Sequence, residues 1–155
     1  MNGLSPHMGS KEHLSIYIDG KRLDEILAKE VKEDYLGLIP AWLNFYDTTS
    51  ASDLKAKQYV WKQTKLSDTP VILPILLCPD DFDFSCTVIV VEVVCMKDKV
   101  IWHRFGVDNT QFDVNETELP QYISKKIDWF GNIGSFEFSK EEYLSCVSLF
   151  SELDS

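Results

Sequence analysis

Residues 87–105, TVIVVEVVCMKDKVIWHRF, form the most β-like stretch of the chain. Val and Ile dominate residues 87–96, residues 100–105 keep that character, and the polar residues 97–99 separate the two runs. Two β-prone runs joined by a short polar break are typical of an antiparallel hairpin. The sequence therefore predicts a hairpin over about residues 86–105, at the centre of a mainly antiparallel sheet.

Charge and apolar spacing suggest a register for this hairpin. If the turn is centred on Asp98, Glu92 faces Arg104 and Val94 faces Trp102. Opposite charges directly across two strands favour this pairing, and a slip by one residue would lose the match. The same register puts His103 on an apolar strand face, where we expect a packed residue rather than a general base.

The negative charge of the chain is concentrated near the open end of this hairpin. The 155 residues contain 25 Asp and Glu against 15 Lys and Arg, a net charge of −10. Eight of the acids lie in residues 79–92 and 105–120, which contain no Lys or Arg, so the rest of the chain carries only −2. Extending the register brings Asp83 near Asp113. The sequence thus predicts an acidic rim for a positively charged partner, with contact residues Asp80, Asp81, Phe82, Asp83, Asp108, Asp113, Glu116 and Glu118.

Composition excludes several classes of protein. With 45% hydrophobic residues the chain is too apolar for a disordered acidic tail. No apolar run approaches the roughly 20 residues that span a bilayer, and no leader resembles a signal peptide, so we expect a cytoplasmic protein that does not bind membranes. The acidic balance argues against nucleic acid, because a phosphate backbone selects for Lys and Arg.

The remaining elements come in blocks of strands and helices, which favours an α+β fold over a doubly wound sheet. We expect a strand at residues 14–18 that closes with a turn at Asp19-Gly20, and a strand at residues 71–77 with a bulge or sheet edge at Pro74. Helices are predicted from Leu23, from an Asp53 cap, and over residues 41–46. A last helix follows a capping box of Ser139 and Glu142, and its apolar residues are Tyr143, Leu144, Val147 and Phe150. We expect one domain over residues 13–155, preceded by a disordered leader of cloning origin at residues 1–12.

Metal and catalytic motifs are weak. The four cysteines form no C-x-x-C pair and the three histidines are scattered, so we expect reduced thiols, no structural zinc and no cofactor. Residues 81–92 match part of a calcium-loop template, but Cys86 stands where that loop needs glycine. A loosely held Mg²⁺ or Ca²⁺, and a small hydrolase or isomerase using Asp81 or Asp83 with His103, stay open as alternatives.

Five short segments carry a resemblance to a known group of proteins. They are IDGK at residues 18–21, CPDDFDFSC at 78–86, WHRFG at 102–106, IDWF at 127–130 and FSKEEY at 138–143. In this order the chain resembles small, acidic bacterial proteins found among toxin-immunity partners. The resemblance implies a cytoplasmic protein that binds a cationic toxin domain and blocks its active site.

The leading hypothesis is therefore a non-enzymatic binding protein whose acidic rim occludes a basic protein, with an immunity protein against a toxin domain as its specific form. Phe82 is a candidate aromatic anchor among the acids. An enzyme and a metal-binding domain are the alternatives, and the oligomeric state is left open.

Overall fold

The computed structural model describes residues 2–8, 14–43, 51–78, 87–109 and 126–152. These residues form two antiparallel sheets and three α-helices, so the predicted α+β class is confirmed. Within the five ranges, no helix is both long enough and apolar enough to cross a lipid bilayer.

The predicted central hairpin is present. Strands β6 (Val88–Cys95) and β7 (Lys99–Asp108) pair along their whole length. Glu92 lies opposite Arg104, as the charge match predicted, and the same register continues to the open end of the hairpin. The predicted pairing is therefore confirmed for the half of the hairpin that leads to the acidic segments.

Nearer the turn the register differs from the prediction by one residue. Val94 was expected opposite Trp102, but Val93 takes that position, because His103 is an extra residue in β7 with no partner in β6. Such a β-bulge places two residues of one strand opposite one of the other. It allows Trp102 and Phe105, three positions apart, both to face the core, where both are fully buried.

Four further strands complete a six-stranded sheet around this hairpin. On one side β5 (Val71–Leu77) pairs with β6 and has a bulge just after Pro74, as predicted. Beyond it, the short β4 (Ile39–Pro40) pairs with the end of β5. On the other side, β8 (Ile127–Trp129) and β9 (Phe136–Ser139) occupy successive parts of the edge of β7.

A second, smaller sheet is formed by β1 (Leu4–Met8), β2 (Leu14–Ile18) and β3 (Lys21–Arg22). The loop between β2 and β3 consists of Asp19 and Gly20, whose φ angles are 53° and 81°. Two consecutive positive φ values suit the tight hairpin turn for which Asp-Gly is a preferred sequence. The predicted strand and turn at residues 14–20 are thus confirmed.

The expectation of a disordered leader over residues 1–12 is wrong for residues 4–8, which form β1. Leu4 is buried in the core, and its N–H donates to Glu142 Oε1 at 3.0 Å. The backbone N–H of Asn2 donates to the carbonyl of Glu137 in β9 at 2.7 Å. The segment 2–4 therefore connects the small sheet to the large one, because its backbone finds partners on both.

The three helices are α1 (Leu23–Glu30), α2 (Ala51–Thr64) and α3 (Lys140–Glu152). Asp53 lies inside the first turn of α2, so its prediction as the cap was wrong. The short helix expected over residues 41–46 is also wrong for residues 41–43, which form a buried turn.

Helix α3 begins with half of the predicted capping box. The N–H of Glu142 donates to Ser139 Oγ at 3.1 Å, but the carboxylate of Glu142 binds Leu4 instead of returning to Ser139. Tyr143 and Phe150 face the core as expected. Leu144, which was assigned to the same apolar face, is 48% exposed and lies on the outer side of the helix.

Aromatic side chains fill the space between the large sheet and the elements packed on its inner face. Trp102 is fully buried and meets Phe105, Phe138 and Tyr143 edge to face, with ring centroids 5.8, 5.0 and 6.1 Å apart. Edge-to-face contacts add to the stabilisation from burial. These rings belong to one contiguous core, which holds the central hairpin in a fixed position.

Candidate functional site

The open end of the hairpin is the place where the two acidic segments of the sequence leave the sheet. Leu77 at the end of β5 pairs with Val88 at the start of β6. On the neighbouring side, Asp108 at the end of β7 pairs with Ile127 at the start of β8. Four consecutive strand ends therefore lie side by side along one edge of the sheet, over roughly 14 Å at about 4.8 Å per strand spacing.

The connections between these strand ends carry most of the predicted contact residues. Residues 78–87 join β5 to β6, and residues 109–126 join β7 to β8. Asp108 is half-buried at the end of β7, which is where the prediction placed it. The other seven predicted residues lie outside the described part of the chain: Asp80, Asp81, Phe82, Asp83, Asp113, Glu116 and Glu118.

The strands that end here are firmly anchored. Val88, Ile89, Val90 and Val91 are all buried, although alternate residues of a strand point to opposite faces of the sheet. Both faces of β6 are therefore covered near the open end. A buried base of this kind fixes where the two connections begin.

Hydrogen bonds fix the first and last residues of the longer connection. The N–H of Asn109 donates to the carbonyl of Lys126 at 2.7 Å, and its side-chain amide donates to the carboxylate of Asp128. These bonds continue the pairing of β7 with β8 by one step. The 109–126 connection thus starts and finishes at neighbouring positions on the sheet edge.

Described carboxylates add negative potential close to this edge. Tyr35 has a raised pKa, chiefly because burial disfavours the phenolate, and the nearby carboxylates of Asp34 and Asp128 raise it further, against the opposing effect of Lys32. Asp128 lies opposite Val107 in the β7–β8 pair. Besides Asp108, Asp128 therefore adds a described carboxylate near the open end.

The predicted Glu92–Arg104 ion pair is formed, and the structure adds a third member to it. Arg104 Nη2 lies 3.2 Å from Glu92 Oε2, and the guanidinium stacks 3.8 Å above the ring of Trp129. The sequence analysis missed Trp129. Its pairing with β7 depends on a strand of only three residues, and its partner Gly106 offers no side chain that a sequence pattern could match.

His103 is not the packed residue that the sequence predicted. His103 is exposed. It is the extra residue of the bulge, so the alternation of buried and exposed residues along β7 is interrupted there. For the alternative of an acid–base enzyme, its candidate partners Asp81 and Asp83 lie outside the described residues. His103 lines neither of the two clefts considered next.

The first cleft, of about 310 Å³, lies between α1 and the β2–β3 turn, with Phe136 of β9 contributing to its lining. Its charged residues have mixed signs, since Lys21 and Lys29 face three carboxylates, among them Asp19. Asp19 accepts hydrogen bonds from the side chain of Asn2 and the N–H of Gly3, which lower its pKa. That carboxylate therefore holds the segment 2–4 in place.

A second, open groove runs along the outer face of α3, between Leu144 and Leu149. Both leucines are nearly half exposed, and Ser145, Ser148 and Glu141 line the groove with them. None of the described residues that line the groove is basic.

Metal ligation has no support in the described residues, where no group of three or more His, Cys, Asp or Glu side chains is placed to hold an ion. The one buried carboxylate reported there, Asp24, has a structural role. It pairs with Arg22 and accepts the N–H of Gly37 at 2.7 Å, which ties α1 to the loop before β4. The proposed loose cation site at Asp80, Asp81 and Asp83 lies outside the described residues.

Comparison of the chain with protein-family models, with curated proteins and with solved structures finds no match.

Proposed function

We propose that this protein binds a basic protein through the two acidic segments at the open end of the β6–β7 hairpin. The observation that carries the proposal is the position of the strand ends. The segments 79–92 and 105–120 are far apart in sequence, but the pairs Leu77–Val88 and Asp108–Ile127 start both connections from one sheet edge.

The charge distribution supports a cationic partner. Eight acids and no bases fall in these two segments, and one of the acids, Glu92, is paired with Arg104. Like charges collected on one edge repel one another and so cost stability. A partner rich in Lys and Arg would relieve that repulsion and would be steered toward the edge by the field of the carboxylates.

Binding of this kind acts by occlusion and needs no chemical step. The carboxylates of the two segments would offer a basic protein the same charge as the phosphates of a nucleic acid and would compete for a surface that binds nucleic acid. Phe82 would supply apolar contact area among the acids. A cytoplasmic toxin-immunity protein, the group that the sequence resembles, is the specific form of this function that we propose.

A matched pair of quadruple variants tests the proposal. The test variant replaces Asp80, Asp81, Asp83 and Asp113 with Asn. The control replaces four exposed acids away from the open end with their amides, at Glu30, Asp68, Asp98 and Glu141. Both variants change the net charge from −10 to −6.

The partner for this test is the basic product of a neighbouring gene, identified by co-purification, and poly-L-lysine serves as a cationic probe of the edge. We expect affinity for both to fall by 10-fold or more in the test variant and by much less in the control, and to weaken steeply with salt. Equal losses in the two variants would show that only net charge matters. Unchanged affinity of the test variant would exclude the acidic edge as the binding surface.

A further inference from the structure

The outer face of the large sheet is partly exposed from the Glu92–Arg104 pair to the turn of the hairpin. Strand pairing puts Ile72 beside Glu92 and Val94 beside Ile101, all on the face opposite the aromatic core. Trp129 joins them from β8, next to Arg104. An apolar surface is formed here by four partly buried side chains: Ile72, Val94, Ile101 and Trp129. We call this surface, together with the ion pairs that flank it, the outer patch.

Two ion pairs complete the outer patch. Glu92 is paired with Arg104 at 3.2 Å, and Lys99 Nζ lies 3.0 Å from Glu137 Oε1. Two acids and two bases give the outer patch no net charge, although the chain as a whole carries −10. Each of the four side chains keeps some solvent exposure, so each can reach a group outside the molecule.

A second copy of this chain fits such a surface. A twofold interface brings one patch against the same patch turned by half a rotation, so the patch must be complementary to itself. Alternating acids and bases around apolar residues meet this condition, because an acid of one copy can face a base of the other. The groove on α3 does not meet it: Glu141 lines that groove and no base does, so two copies would bring like charges together.

We propose that the protein self-associates through the outer patch, as a weak twofold dimer. This inference is independent of the proposed function, because the outer patch uses a face of the sheet and the acidic connections leave from the strand ends; the one acid they share, Glu92, is paired with Arg104. The patch spans four strand positions, roughly 14 Å at about 4.8 Å per strand spacing, and a square of that side, roughly 200 Å², is small beside the usual area of about 800 Å² per partner. Association should therefore be reversible and depend on protein concentration.

Sedimentation velocity on the full chain, from about 10 µM to about 1 mM, tests the proposal. We expect the average mass to rise from that of one chain toward that of two. Raising salt from about 10 to about 150 mM should strengthen association, because it shortens the screening length from about 30 to about 8 Å and so weakens the repulsion between two chains of −10. A mass that stays at one chain up to 1 mM in the higher salt would overturn the proposal.

Variants and amide shifts locate the interface. Val94→Glu with Ile101→Glu should abolish association, whereas the control Leu144→Glu with Leu149→Glu, which adds the same charge on α3, should retain it. Val94→Thr with Ile101→Thr repeats the test with β-branched residues, in case the glutamates prevent folding. In wild type, dilution should shift the amides of residues 92–94, 99–104 and 137. Association that survives both patch variants, or that the α3 control abolishes, would overturn the assignment.

Discussion

The two ends of the β6–β7 hairpin are built from the same β-branched residues but differ in burial and in charge. At the open end both faces of β6 are buried, and two segments that contain acids but no Lys or Arg leave the sheet. From the Glu92–Arg104 pair to the turn, the outer face is partly exposed and carries two ion pairs with no net charge. The change begins at that pair, one step before the bulge of His103.

This difference shows how one ribbon can separate two electrostatic environments. From Ile101 in the outer patch to Asp108 at the open end, β7 runs roughly 23 Å at about 3.3 Å per residue, which is more than two screening lengths at physiological salt. We therefore expect the two surfaces to respond to salt with opposite signs: binding of a cation at the acidic edge weakens, and self-association of the outer patch strengthens.

Deletion of single residues of β7 should give the largest difference in stability between two positions of the hairpin. Removing His103 should leave every observed pair between β6 and β7 in place, because His103 is the unpaired residue, at a cost of about 1 kcal/mol. Removing Ile101 shifts the alternation and turns Trp102 toward solvent, which should abolish folding. Circular dichroism and urea unfolding measure both variants. Equal damage from the two deletions would contradict the bulge.

The inner and outer faces of the ribbon should also differ in what they contribute to stability. Trp102 is fully buried, so Trp102→Ala should lower the free energy of unfolding by about 3–5 kcal/mol. Trp129 is partly exposed on the outer face, and Trp129→Ala should cost about 1 kcal/mol, as expected for loss of a partly exposed cation–π contact. Chemical denaturation of both variants checks the ranking, and a larger loss for Trp129 would reverse the assignment of the faces.

Gly106 tests the packing between β7 and β8 near the open end. A Cβ atom at this position would lie 2.7 Å from Ile127 Cγ2 and 2.8 Å from the carbonyl oxygen of Asp128. Gly106→Ala should therefore destabilise the protein by about 1–3 kcal/mol, because the neighbouring backbone must move.

The control for that substitution is Gly134→Ala, where an added Cβ meets no atom within 4 Å. We expect its unfolding free energy to match that of wild type within about 0.5 kcal/mol. If Gly106→Ala were equally neutral in thermal or urea unfolding, β8 would not lie against β7 as described.

The smallest expected effect concerns the segment 2–4, which reaches β9 beside the turn half of the hairpin. Hydrogen bonds from Asn2 and Gly3 lower the pKa of Asp19 below 3.8, so its stabilisation is present above that pH and is lost as the pH falls through the lowered value. Asp19→Asn should cost about 0.5 kcal/mol at pH 7, since the site is exposed and screened.

The difference from wild type should shrink as the carboxyl is protonated in acid. Urea unfolding at pH 7 and pH 3 measures it, with Asp68→Asn as a control that should show no such pH dependence. A constant difference between Asp19→Asn and wild type at both pH values would contradict the role given to the carboxylate.

The sequence predicted those parts of the fold in which local preference and tertiary structure agree. The β-branched runs and the Glu92–Arg104 match were enough to define the open half of the hairpin, and Asp19-Gly20 was enough to define a turn. Leu144 shows where prediction from apolar spacing fails. Apolar spacing in α3 cannot tell which of two stripes faces the sheet, and Leu144 belongs to the exposed one.

Features that depend on distant contacts could not be predicted. The bulge at His103 follows from the need to bury both Trp102 and Phe105, which appears only once the core is assembled. β1 has no apolar alternation of its own, and it is held by Asp19 and Glu142 from other elements. Of the predicted contact residues, Asp108 has a described position, and the sheet edge explains why the others were expected to share one surface.

The most direct test of the central claim is a paramagnetic label on one acidic segment, read out on the other. A nitroxide on Asp83→Cys, with Cys78, Cys86 and Cys95 changed to Ser, leaves only Cys146, which is buried and whose pKa burial raises to about 12, so it should not be labelled. If both acidic segments share one edge, the amide signals of residues 110–118 should be broadened by the nitroxide. They should be sharp when the label is moved to Asp98→Cys at the turn. Sharp signals for residues 110–118 with the label at residue 83 would contradict a shared acidic edge.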